Sequence, residues 1–107
     1  MVVDCHIHMA LDGGYWKDAL ARHKEAPDEQ FIRKTLETYK SLGFTYLRDG
    51  GDRWNAGKRA SELAPEYGIR YRTPVFPIYR KGHYGSFIGR GFETLDDFRA
   101  LISEVKT

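Results

Sequence analysis

Helix-forming and strand-forming stretches alternate along this chain, and that alternation narrows the possible folds more than any other feature. Residues 28–42 (DEQFIRKTLETYKSL) place Phe31, Ile32, Leu36, Tyr39 and Leu42 at spacings that share one helix face. Asp28 can accept from the first-turn amides, and Gly43 is a natural stop. Directly after it comes Phe44-Thr45-Tyr46-Leu47-Arg48-Asp49, rich in β-formers and closed by Gly50-Gly51. Upstream, residues 2–9 (VVDCHIHM) form a strand-like run, separated from the helix by a stretch that Asp12, Gly13 and Gly14 interrupt. Downstream, residues 54–67 read as a second helix, weakened by Pro65 and stopped at Gly68. Residues 69–79 read as a third strand in which Pro74 and Pro77 disturb the hydrogen bonding. A Gly-rich loop over residues 81–91 leads to Thr94, which pairs with Asp97 as a short capping box for a third helix. Leu95, Phe98, Leu101, Ile102 and Val105 supply its apolar face. The expected order is β-α-β-α-β-α with connections long enough for parallel crossovers, which predicts an α/β protein with a parallel sheet.

A length of 107 residues suits one small domain, and an apolar fraction of 41% suffices for a packed core. Lys plus Arg number 17 against 15 Asp plus Glu, a net +2 with the signs interspersed. That balance predicts neither nucleic-acid binding nor attraction to a membrane. The lone Cys5 allows no intrachain disulfide, the first residues carry no basic and apolar leader, and no apolar run approaches a bilayer span. The expectation is a cytoplasmic protein.

The chemistry concentrates in Asp4-Cys5-His6-Ile7-His8. In an extended strand alternate residues share a side, so Asp4, His6 and His8 are expected on one face and Val3, Cys5 and Ile7 on the other, against the helices. Two neutral imidazoles on alternate positions can bind one divalent ion, with zinc the best match. Asp4 is expected to orient the imidazoles rather than to ligate.

VVDCHIHM resembles the opening Asp-x-His-x-His signature of the amidohydrolase superfamily, and GFTYLRDGGD (43–52) is similar to the Gly-[Ile/Val/Phe]-Thr-x-x-Arg-Asp-x-Gly turn of many members. GIRYRTPVFPIYRKGHYGSFIG (68–89) looks like their third strand and its loop. The resemblance spans most of the chain. It implies the N-terminal part of a (β/α)₈ barrel, a partial TIM barrel of about three βα units, with its site at the C-terminal strand ends. It also implies metal-activated water attacking the carbonyl of an amide or cyclic amide in a small-molecule substrate. Among the family's ligands only His6 and His8 are matched here. A full barrel needs about 250 residues, so the strands that carry the remaining ligands and the proton-transfer acid are absent, and no catalytic residue is assigned. The expectation is an inactive chain that forms a homo-oligomer or associates with the missing barrel portion through open strand edges.

Arg80, Lys81, His83 and Tyr84 would lie on the same rim as the histidines, where they could contact a substrate carboxylate or carbonyl; a solvated loop is the plainer alternative. Arg48 and Asp49 end the second strand and could either line the site or form a simple ion pair, the plainer reading; His23 reads as exposed, Cys5 as a small core residue, and Trp16 and Trp54 as packing residues. The spacing of Gly82, Gly85, Gly89 and Gly91 matches no phosphate loop. Two other functions fit the same residues: a non-catalytic α/β domain for oligomerisation or binding, and a metal-dependent lactonase or phosphoesterase.

Overall fold

The computed structural model describes residues 1–105. Three parallel strands, β1 (Val2–Ile7), β2 (Phe44–Asp49) and β3 (Arg70–Arg72), form a sheet in the order β1-β2-β3. Helix α1 (Trp16–Ala21) and helix α2 (Glu29–Ser41) connect β1 to β2. Helix α3 (Ala56–Leu63), prolonged by a 3₁₀ turn at Ala64–Tyr67, connects β2 to β3. A second sheet pairs β4 (Ile78–Arg80) in parallel with β5 (Arg90–Phe92), and α4 (Leu95–Val105) follows. The protein is thus α/β with parallel strands in two small sheets, and neither sheet closes on itself.

Helix α2 forms where its pattern predicts. The Asp28 side chain accepts the Phe31 amide at 3.1 Å, and Ile32 and Leu36 point into the core. The capping box before α4 is also present: the Asp97 amide donates to Thr94 Oγ1, and the Thr94 amide donates to Asp97 Oδ2. The helix it starts is poorly covered. Only Leu101 on α4 is buried, while Leu95 is 60% and Ile102 40% exposed.

Three expectations need correction. The third strand ends at Arg72, because the Thr73-Pro74 segment turns away and Val75 takes a left-handed backbone (φ 72°), a costly state for a β-branched residue. The Val75 amide is held by Thr73 Oγ1, and its carbonyl accepts the Asp52 amide, so local bonds fix this turn. Residues 78–80 therefore belong to the second sheet, and the Gly-rich loop itself ends in β5. The six-residue helix α1 was not expected; its stretch is too short and charged to show a periodicity, yet it buries Ala19 and Leu20. The second helix begins at Ala56 rather than Trp54, because the buried Asp52 carboxylate accepts the amides of Trp54, Ala56 and Gly57 and sets the start itself.

The core lies between the first sheet and α2 and α3, around Ile7, Ile32, Leu36, Leu47, Leu63 and Tyr71. Alternation along β2 puts Leu47 and Asp49 on this covered side and Arg48 on the opposite, open side. Arg48 and Asp49 therefore form no ion pair with each other. Both outer strands have a free edge, and Val2 and Val3 on β1 are each 42% exposed.

Candidate functional site

Strand β1 is not a regular strand. Asp4 is paired with Leu47 and Ile7 with Asp49, three steps along β1 against two along β2. This extra residue, a β-bulge, resets the alternation. Asp4 and Ile7 then share the covered side: Tyr39 Oη on α2 donates to Asp4 Oδ2 at 3.4 Å, and Ile7 is buried. Between them the His6 amide is held by Asp4 Oδ1 at 3.1 Å. The simple division into Asp4, His6 and His8 on one face and Val3, Cys5 and Ile7 on the other does not hold. Cys5 is exposed on the open side rather than packed in the core.

The bulge nonetheless brings the two imidazoles together. His6 Nε2 and His8 Nε2 lie 3.3 Å apart, with ring centroids 5.2 Å apart. Two nitrogens each about 2.0–2.1 Å from one tetrahedral ion sit about 3.3 Å from each other, so the observed spacing fits a shared metal ligand pair. His8 Nδ1–H donates to the Gly51 carbonyl at 3.0 Å, which leaves Nε2 as the lone-pair nitrogen. The imidazole lies against the backbone at Gly50, where a Cβ would come within 2.5 Å of His8 Cε1. Asp4 contacts neither ring; it acts on His6 through the backbone, and the group that orients an imidazole is the Gly51 carbonyl.

The turn that carries Gly50 and Gly51 is held by two buried carboxylates. Asp49 Oδ1 accepts the Gly51 amide at 2.9 Å, and Asp49 Oδ2 accepts from Thr73 Oγ1 at 3.2 Å. Burial pushes the Asp49 carboxyl up, against the opposing effect of its Gly51 bond. The buried Tyr71 hydroxyl faces Asp49 without reaching a hydrogen bond of normal geometry, and burial and that neighbouring charge push it well up. Helix α3 approaches so closely that a Cβ at Gly57 would fall 1.9 Å from Asp49 Oδ2. The Asp49-Gly50-Gly51-Asp52 segment is thus a rigid shelf for His8.

His6 stands on the wall between two clefts. One, of about 440 Å³, is lined by Cys5, His6, Arg48, Gly50, Arg72 and Thr73. The other, of about 820 Å³, lies between the His6/His8 pair and α2 and includes Asp12, Lys34 and Tyr39. Arg80, Lys81, His83 and Tyr84 line neither cleft. Tyr84 instead packs at 5.3 Å on Phe87 and borders a separate hollow with Trp16. The Lys81 amide donates to the Phe92 carbonyl, continuing the pairing of β4 with β5, and the His83 amide donates to the Arg80 carbonyl, closing a turn.

His23, expected on the surface, is 1% exposed. After α1 ends, its ring turns inward against Phe31, and Nδ1 accepts the Asp28 amide at 3.0 Å. Nε2 is buried without a partner, and burial holds the imidazole below its ordinary pKa. Its charged sequence neighbours hid this position; the only available signal was Asp28 five residues on, a helix cap whose own amide needs an acceptor. Arg48 and Arg72 were equally missed as a pair, since their juxtaposition depends on strand register (Arg48↔Arg72).

Among the described residues no group of three or more His, Cys, Asp or Glu side chains could hold a metal ion, so the two imidazoles stand as a pair. No helix among these residues is long and apolar enough to cross a membrane. Set against protein-family models, curated proteins and solved structures, the chain finds no match in any of the three.

Proposed function

We propose that this chain is the metal-anchoring N-terminal segment of a metal-dependent amidohydrolase, folded as part of a barrel whose remaining strands lie elsewhere. His6 and His8 hold one divalent ion, zinc by the preference of neutral imidazole donors. The single observation that carries this reading is the 3.3 Å approach of the two Nε2 atoms, with His8 pinned through Nδ1. When bound, the ion would supply Lewis acidity toward a carbonyl and activate water for hydrolysis of an amide or cyclic amide.

The residues of this chain divide the supporting work. The Gly51 carbonyl selects the His8 tautomer that can ligate. Asp4, itself held by Tyr39, fixes the bulged backbone at His6. Asp49 and Asp52 hold the shelf against which the His8 ring rests. Two neutral donors supply only half of a tetrahedral shell, so the chain by itself is expected to bind metal weakly and to show no turnover. Completing the site requires donors from a further barrel portion or another copy, which is also where the proton-transfer group would reside.

The test is calorimetric titration of zinc chloride into metal-free protein. One ion per chain is expected, bound at least about tenfold more weakly after His6→Ala or His8→Ala and unchanged after His83→Ala. Affinity in the His6 or His8 variant equal to that of the parent chain would overturn the assignment, as would no binding to the parent chain.

A further inference from the structure

The open face of the first sheet carries a second recognition element beside the histidines. Arg48 and Arg72 are direct partners in the parallel register of β2 and β3, and both line the 440 Å³ cleft that His6 also borders. Neither guanidinium forms an ion pair among the described residues, as is also true of Arg53, Arg70 and Arg80, but only Arg48 and Arg72 border this cleft. The one carboxylate on the cleft wall, Asp49, is buried and already engaged by Gly51 and Thr73. Two like charges on adjacent strands repel and gain nothing from one another. Two arginines bordering one hollow without an ion-pair partner can bind an oxyanion, each guanidinium being able to offer two parallel N–H···O bonds.

We infer that Arg48 and Arg72 form an oxyanion site, and that its ligand is the carboxylate of a small substrate whose scissile amide lies toward His6. The second half of this statement rests on the metal-site reading above; the first does not. The size of the hollow agrees with a small acid rather than a polymer, being at the lower end of the range typical of small-molecule pockets, about 300–1,000 Å³. Arg is suited to a flat carboxylate because both oxygens can be met at once. The other free cations near the histidines, such as Lys34, lie in the neighbouring cleft and offer a point charge instead.

The experiment is an NMR titration of the metal-free full chain with sodium acetate, sodium phosphate and sodium chloride at constant ionic strength, following the Arg side-chain N–H signals. Acetate is expected to saturate shifts at Arg48 and Arg72, with affinity falling at least tenfold in Arg48→Gln and in Arg72→Gln and unchanged in Arg99→Gln. If one variant fails to fold, the other reads the same site. Phosphate binding without acetate binding would overturn the carboxylate assignment. Shifts that do not saturate, or that Arg99→Gln weakens equally, would overturn the site altogether. Zinc titration of the same variants separates the two readings, since the Arg substitutions should leave zinc affinity unchanged. Loss of zinc binding in the His variants with acetate binding intact supports both sites. An anion site in a chain that never takes up zinc would leave the oxyanion pocket standing and remove its place in hydrolysis.

Discussion

His8 donates its Nδ1–H to the carbonyl of Gly51 at 3.0 Å, across a gap that exists only because residue 50 has no side chain. Gly50→Ala places a methyl 2.5 Å from the His8 ring, so the ring must swing away and the hydrogen bond must break. Zinc affinity is expected to fall by about ten- to a hundredfold, the usual cost of losing a group that orients a ligand. Competition against a chromophoric chelator measures this, and unchanged affinity would show that the ring does not use this shelf.

Gly57 meets Asp49 in the same way from the other side of the shelf. Gly57→Ala drives a Cβ into the Asp49 carboxylate, which must give up its bonds to Gly51 and Thr73. The expected loss is roughly 3 kcal/mol, combining overpacking with an uncompensated buried polar group. Gly68→Ala is the comparison: a Cβ there meets nothing, and only the left-handed backbone (φ 69°) is strained, for a cost of about 1 kcal/mol. Urea denaturation of the two variants checks the difference.

The stability of the fold should depend on pH through His23. Burial lowers its folded pKa below the ordinary 6.5, so the unfolded chain binds the proton more readily than the folded one. Stability contributed by the neutral imidazole is therefore fully present above about pH 6.5 and is lost as pH falls from there toward the depressed folded value. Urea midpoints at pH 7.5 and 5.5 should differ in the parent, and the difference should shrink in His23→Gln. Asp49 acts in the opposite sense: burial raises its folded pKa above the ordinary 3.8, so stability carried by its protonated form is lost as pH rises above that value. Acid titration of Asp49→Asn should lack that component.

Exposed edges at β1 and β3 and uncovered apolar residues on α4 predict self-association. Sedimentation velocity should show a weight-average mass that climbs with concentration. A monomer unchanged across a hundredfold range of concentration would speak against the open-barrel reading.

Much of the scaffold was legible because local rules decide it. Helix α2 follows from one apolar stripe between Asp28 and Gly43, and the Thr94/Asp97 box announces α4. The strands β1 and β2 follow from runs of β-forming residues before glycines. The second sheet was not legible, since Ile69 to Tyr79 has the composition of one strand and only the backbone reversal at Val75 divides it. Within the candidate site, the convergence of His6 and His8 agrees with their i, i+2 spacing, but the route differs. A uniform strand would have aimed Asp4 along with them; the bulge sends Asp4 to Tyr39 instead. Contacts set by register or by a turn, such as Gly51 with His8 or Arg48 beside Arg72, join residues 24 to 43 positions apart in the chain. No local pattern encodes them.

The uneven count of residues in β1 has a bearing on how this segment can change over evolutionary time. Its geometry depends on how many links lie between Asp4 and Ile7 rather than on what Cys5 is, because Cys5 is exposed, and its only neighbourhood of consequence is the Arg48/Arg72 cleft it borders. Exchanges for another small side chain at that spot should leave the histidine pair nearly unchanged. Removing a single codon there would straighten the pleat and abolish the turn by which Asp4 Oδ1 holds the His6 amide, so drift in spelling is tolerated where drift in length is not.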